Sequence, residues 1–149
     1  MENNNKIRKY LIATHGKFAG GIKSSLELIA GEVENLFLIE AYIDNTLSIE
    51  DQISNVMSEI GEYNELIVFT DILGGSVTNQ ILQHTLNSDV HVVSGFNLPL
   101  LIEIIMAGTD TPIAEVIGPA IENARGQMAY VNKLLTEQNE DKDDQTDTN

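Results

Sequence analysis

Three short segments hold the side chains best suited to do chemistry. Thr14-His15-Gly16 offers an imidazole beside a glycine that lets another backbone approach. Thr70-Asp71 offers a carboxylate, and Gly74-Gly75-Ser76 follows at once. A histidine acts as a nucleophile through one ring nitrogen only when the other is fixed, and a carboxylate fixes it while stabilising a cationic, substituted ring. Asp71 is the candidate orienter of His15. Gly-Gly-Ser leading into a helix presents free N–H groups at the positive end of the macrodipole, and a hydroxyl beside them, which suits a phosphate oxygen. Together they describe a phosphohistidine site with Thr14, Gly74, Gly75 and Ser76 around the phosphate, and neither metal nor cofactor is required. Each feature also has a plainer reading: a solvated loop histidine, a turn-capping aspartate, a tight turn with an N-cap. The Gly-Gly-Ser lacks the Lys-Ser/Thr of a Walker loop, no Gly-x-Ser-x-Gly elbow is present, and His84 and His91 fit no zinc spacing.

These residues are useful only if elements bring them together. Lys9 to Thr14, Leu36 to Tyr42, Glu65 to Asp71 and Asp89 to Gly95 are short apolar runs with little alternation, as in strands covered on both faces. Between them, Phe18 to Ala30, Ser48 to Ile60 and Ser76 to Leu86 carry apolar residues at helical spacing, and Ser76 is expected to cap the third helix. Strand and helix alternation predicts an α/β fold with an open, doubly wound, mainly parallel sheet. Ligands then bind beyond the carboxyl ends of the strands where their order reverses. In the order 2-1-3-4 that point lies between strands one and three, so His15 and Asp71 meet on one rim. Further helices are expected at Leu98 to Met106, with Pro99 in the first turn, and from Asp110, bent or interrupted at Gly118-Pro119. Gln127 to Leu135 alternates enough to suggest a fifth strand, and a helix fits it as well.

The chain has 149 residues, which suits one domain, and its composition is that of a globular protein, with 42% hydrophobic and 21% charged residues. Eight basic residues against 23 acidic ones give a net charge of −15, which argues against nucleic-acid and anionic-membrane binding. Absence of cysteine removes disulfides, thiol nucleophiles and thiolate metal sites. No apolar run approaches a membrane span, and Met1 to Lys9 does not read as a signal peptide, so a cytoplasmic protein is expected. Residues 1–136 read as a single domain. Residues 137–149, with six acidic residues, one lysine and nothing apolar, read as a disordered tail.

Ala13-Thr14-His15-Gly16, Thr70 to Ser76 with Asn79, and Ser94 to Leu101 followed by Glu103 resemble the three signature segments of the mannose-type IIA component of the bacterial phosphoenolpyruvate-dependent sugar phosphotransferase system (PTS). The resemblance spans about Tyr10 to Leu135. It implies a cytoplasmic phosphotransferase in which His15 takes a phosphoryl group from the carrier HPr and passes it to a IIB component, serving membrane components IIC and IID indirectly. It implies that Asp71 holds the ring, that Thr14 and Ser76 order the site, and that Gly95 to Leu101, with Asn97 and Pro99, lines it beside Gly16. It also implies a homodimer in which the last strand, around Gln127 to Leu135, runs antiparallel and joins the partner's sheet. Where the family usually has proline after Gly-Gly-Ser, Val77 stands here, which is expected to loosen the anion site slightly. The acidic tail in place of a IIB domain suggests a free-standing IIA protein. The competing expectation is a receiver-like signalling domain phosphorylated on Asp71. That chemistry needs an acidic pair after strand one to hold magnesium, and Thr14-His15 stands there instead. Lys17 and Lys23 are expected to make the surface near His15 less acidic than the rest.

Overall fold

The computed structural model describes residues 6–85, 87 and 89–146. Its elements run β1 (Arg8–His15), α1 (Phe18–Ala30), β2 (Leu36–Ala41), α2 (Ile49–Ile60), β3 (Glu65–Thr70), α3 (Ser76–His84), β4 (Val90–Ser94), α4 (Leu98–Met106), α5 (Ile113–Gly126) and α6 (Val131–Thr146). The four strands form one sheet in the order β2-β1-β3-β4, every pair parallel. The doubly wound reading with order 2-1-3-4 is therefore observed.

Successive residues of a strand face opposite sides of the sheet, so apolar runs such as Tyr10 to Ala13 and Leu66 to Phe69 feed two cores. Tyr10, Ile12, Ile67 and Phe69 pack with Leu26 of α1, Leu101 and Ile104 of α4, and Ala120 of α5. Leu11, Ala13, Leu66 and Val68 pack on the other face with Ile53 and Ile60 of α2 and Val77 and Ile81 of α3. Two helices on one side and three on the other hold the strand ends rigid.

A buried ion pair closes the opposite end of the sheet. Arg8 Nη2 lies 3.4 Å from Glu65 Oε2. The same guanidinium donates to the carbonyls of Gly108 (3.2 Å) and Thr111 (2.8 Å), while Glu65 accepts from the Ile113 N–H at 3.2 Å. The entry to α5 is thereby pinned to the first residues of β1 and β3.

Three expectations are corrected. No fifth strand forms at Gln127 to Leu135: Val131 onward is helix, and residues 127–141 are exposed. Lys133, Leu134, Leu135, Glu137 and Gln138 are good helix formers, so the local propensity of this segment favours helix. The same helix carries the acidic stretch expected to be disordered through Thr146, and 147–149 lie outside the described residues. Pro119 does not interrupt α5, because it sits on the exposed side, where water can satisfy the carbonyl it leaves unbonded. Among the described residues, no helix is long and apolar enough to cross a membrane.

Candidate functional site

His15 ends β1 and Asp71 follows β3, the adjacent strand. Asp71 Oδ2 accepts two hydrogen bonds from His15, from the backbone N–H at 2.8 Å and from ring Nδ1 at 2.9 Å. Burial works to raise the Asp71 pKa, but these bonds and the charge of His15 outweigh it and hold the carboxyl below its usual 3.8. An ionised carboxylate can only accept, so Nδ1 carries the proton and Nε2 keeps its lone pair. The Asp71 side chain is 9% exposed against 39% for His15, so the carboxylate stands behind the ring and Nε2 faces outward.

Nε2 faces the start of α3. A Cβ placed on Gly75 would lie 3.7 Å from His15 Cε1, which puts the helix N-terminus against the imidazole edge. Gly74, at φ +76°, makes the turn that a side chain would strain. The helix begins with Gly75 as N-cap and has no side-chain cap. Asn79 N–H makes the first intrahelical bond, to Gly75 O, so the N–H groups of Ser76, Val77 and Thr78 precede the helical ladder. Ser76, expected to cap the helix, is its first residue, and its Oγ lies 3.4 Å from His15 Nε2. The Thr78 hydroxyl donates to Ile72 O (2.7 Å) and lies 2.8 Å from the Thr70 hydroxyl, which fastens this turn to the end of β3.

Other expected residues are placed differently. Thr14 is fully buried, and its Oγ1 accepts from the Ala19 N–H at 2.9 Å, so it caps the entry to α1 instead of reaching the rim. Gly16 takes φ +60° and donates its N–H to Ala41 O at 2.8 Å, which lets the chain leave β1 immediately after His15. Asn97 caps α4 through Leu100 N–H (3.0 Å) and donates to Ala124 O (3.0 Å). It therefore locks α4 to α5 and lines a cavity of about 260 Å³ with Ser94, Leu100 and Arg125. Pro99 is half-buried in the first turn of α4. Phe96 is buried and stacks at 5.3 Å on Phe18, the first residue of α1, so this loop supports the His15 loop from behind. Lys17 is exposed at the N-cap of α1, and Lys23 pairs with Glu27 at 3.7 Å.

Sequence reasoning gave no role to Tyr42, although it placed the residue at a strand end. Its hydroxyl lies 2.8 Å from Ser76 Oγ, and its ring centroid is 5.4 Å from that of His15. Around them Phe18, Tyr42, Ile43, Ile72 and Leu73 are exposed, an apolar collar on an acidic chain. No group of three or more His, Asp or Glu side chains among the described residues could hold a metal.

The model of one family, EIIA-man, described as "PTS system fructose IIA component", matches residues 9–121. The chain belongs to this family. A relative, the PTS mannose-specific EIIAB component of Escherichia coli K12, is 26% identical over 118 residues, covering 77% of this chain and 36% of the relative. The chain thus spans about a third of the length of the curated relatives it matches. Two solved structures are similar over almost their full length. One is described as a candidate phosphoenolpyruvate-dependent sugar PTS permease of Klebsiella pneumoniae (30% identity, TM-score 0.82, 91% of this chain and 98% of the other). The other is a PTS IIA protein associated with the fucose utilization operon of Streptococcus pneumoniae (31%, TM-score 0.75, 88% and 98%). The motifs that suggested the family all lie inside the matched span.

Proposed function

We propose that this chain is a phosphocarrier of a sugar PTS. His15 accepts a phosphoryl group from phosphorylated HPr and donates it to a IIB component, which serves the IIC and IID membrane components. The observation that carries this reading is the imidazole fixed through Nδ1 by Asp71, with Nε2 directed at the uncapped start of α3. The Nε2 lone pair forms the new N–P bond as the N–P bond of the donor histidine breaks, and the departing ring keeps that electron pair. The proton on Nδ1 stays with His15, where Asp71 balances the positive charge that the ring gains. The phosphoryl oxygens meet the N–H groups of Ser76 and Val77 and the helix dipole. In this role Gly74 and Gly75 shape the phosphate site, and Thr14 acts only through the backbone it caps.

The apolar collar suits a partner surface, and exposed Met128, Tyr130, Val131, Leu134 and Leu135 support a homodimer. A receiver-like reading gains nothing from the geometry, since Asp71 Oδ2 already accepts two bonds from His15 and Oδ1 is buried.

The test is incubation with phosphoenolpyruvate, enzyme I and HPr. Acid-labile, alkali-stable phosphate should appear on the native chain and be absent from His15→Ala. No such phosphate, or its persistence in the variant, overturns the reading.

A further inference from the structure

Tyr42 has a backbone conformation that its sequence type does not explain. It follows β2 at φ +67°, a left-handed conformation uncommon for any side chain and unusual for a bulky ring. Such a conformation persists only where the surroundings over-determine it. Burial is not the cause, because Tyr42 is 51% exposed. The turn instead carries the side chain across the end of β1 to α3, where its hydroxyl meets Ser76 Oγ at 2.8 Å. Ser76 Oγ in turn stands 3.4 Å from His15 Nε2. Three side chains from three separate elements therefore form one row ending at the nitrogen that the proposed function phosphorylates.

We propose that Tyr42 is a positioning residue that acts through Ser76. A serine hydroxyl has one proton, and at rest it can point to Tyr42 or to Nε2. Once a phosphoryl group sits on Nε2, its oxygens are acceptors only, so the Ser76 proton turns to them and Tyr42 O–H donates to the Ser76 oxygen. Each donor in such a chain polarises the next, and the negative charge at its end fixes its direction. The tyrosine thus commits the serine to the phosphoryl group without touching it. The ring, tilted 39° to the imidazole, also covers one side of His15.

This inference rests on the phosphocarrier reading, and the two fail in distinguishable ways. The native chain, Tyr42→Phe, Ser76→Ala and the double variant are phosphorylated from phosphoenolpyruvate through enzyme I and HPr, and the first-order loss of acid-labile phosphate is followed. Loss of one hydrogen bond that acts through another corresponds to a rate about threefold to tenfold faster in Tyr42→Phe. Ser76→Ala should lose phosphate at least as fast, and the double variant no faster than Ser76→Ala. Phosphorus NMR gives a readout that packing alone would not move. The phosphoryl titration midpoint should rise in both single variants, because the donor that favours the dianion is lost in Ser76→Ala and weakened in Tyr42→Phe. Tyr42→Asn, which tolerates φ > 0 and removes the ring, should match Tyr42→Phe in both readouts if the hydroxyl is what matters. A native lifetime and midpoint in Tyr42→Phe, or multiplicative effects in the double variant, overturn the role of Tyr42 while leaving phosphorylation intact. Failure of the native chain to take phosphate overturns the phosphocarrier reading and this inference with it.

Discussion

Asp71→Asn isolates the charge behind His15 from its shape. In the native chain Oδ2 serves both His15 donors, and Oδ1 is buried without a hydrogen-bond partner among the described residues. An asparagine can place its oxygen where Oδ2 stood, but its amide nitrogen then occupies the buried Oδ1 position with nothing to receive its protons. Turned the other way, the amide faces two donors with a third. Either arrangement costs stability, about 1–3 kcal/mol for the unsatisfied group. The effect on transfer is separate. The backbone bond is the same before and after reaction, whereas the Nδ1 bond strengthens as the ring becomes cationic, and a charge-assisted bond is roughly twice as strong as a neutral one. Adding the lost attraction between carboxylate and imidazolium, about 2–3 kcal/mol of transition-state stabilisation disappears. That corresponds to phosphoryl acceptance slowed about 30-fold to 160-fold. Single-turnover mixing with phosphorylated HPr, quenched in alkali, measures it directly. A rate within twofold of native, in a variant shown to be folded by its circular dichroism, would refute the assignment of Asp71 as the charge that supports the ring.

The same carboxylate sets a pH dependence. Asp71 titrates below 3.8 when folded, so its stabilising contribution is complete above that value and is lost as pH falls through the lower folded value. The gap between urea midpoints of the native chain and Asp71→Asn should therefore hold above pH 3.8 and close as pH falls below it, and a gap that stays constant into acid would contradict this. Gly74→Ala should cost about 1–2 kcal/mol from backbone strain alone, since at φ +76° no neighbour lies within 4 Å of an added Cβ; urea unfolding at neutral pH measures this. Arg8→Leu leaves the buried Glu65 carboxylate with the Ile113 N–H and, at 3.4 Å, half-exposed Lys6, and should cost about 3 kcal/mol. Glu65→Leu in the same chain should recover most of that loss, and no recovery would show that the carbonyl contacts of Arg8 dominate.

The sheet was legible because both its faces are covered. Continuous apolar runs located all four strands to within about a residue of their observed limits, and their alternation with helical patterns gave the parallel order. His15, Asp71 and the Gly-Gly-Ser turn followed, since parallel strands deliver their ends to one rim. Less legible was what each side chain does there. Thr14, Ser76 and Asn97 are polar residues of the segments where the chain passes from strand to helix, yet two turn inward to cap helices and one turns outward to His15. Sequence spacing does not distinguish these, because the choice depends on which N–H groups lie within reach after folding. Tyr42 was hidden for a related reason: its direction comes from a positive φ that an apolar strand end does not announce. Gln127 to Leu135 fits both periods, and the helix propensity of Lys133 to Gln138 agrees with the helix observed from Val131.

The phosphoryl dianion proposed for His15, on a chain of net charge −15, would have to be stabilised locally, and the local means are few. Lys17 stands at the α1 N-cap, the collar is apolar, and Asp44 keeps its charge, its carboxylate held low by the Thr46 hydroxyl and N–H. What remains is the start of α3. Proline at position 77, as the family signature usually has it, would preset the backbone there but carries no N–H. Val77 supplies that N–H. Its side chain is fully buried in the core that also holds Leu11, Ala13 and Ile81, so packing against β1 fixes the helix start where a ring would otherwise have done so. In the proposed site a hydrophobic anchor and one more donor would both act against the expected loosening. The acidity of the body then matters little at Nε2 itself. It acts at longer range, on which partner surfaces can approach the collar.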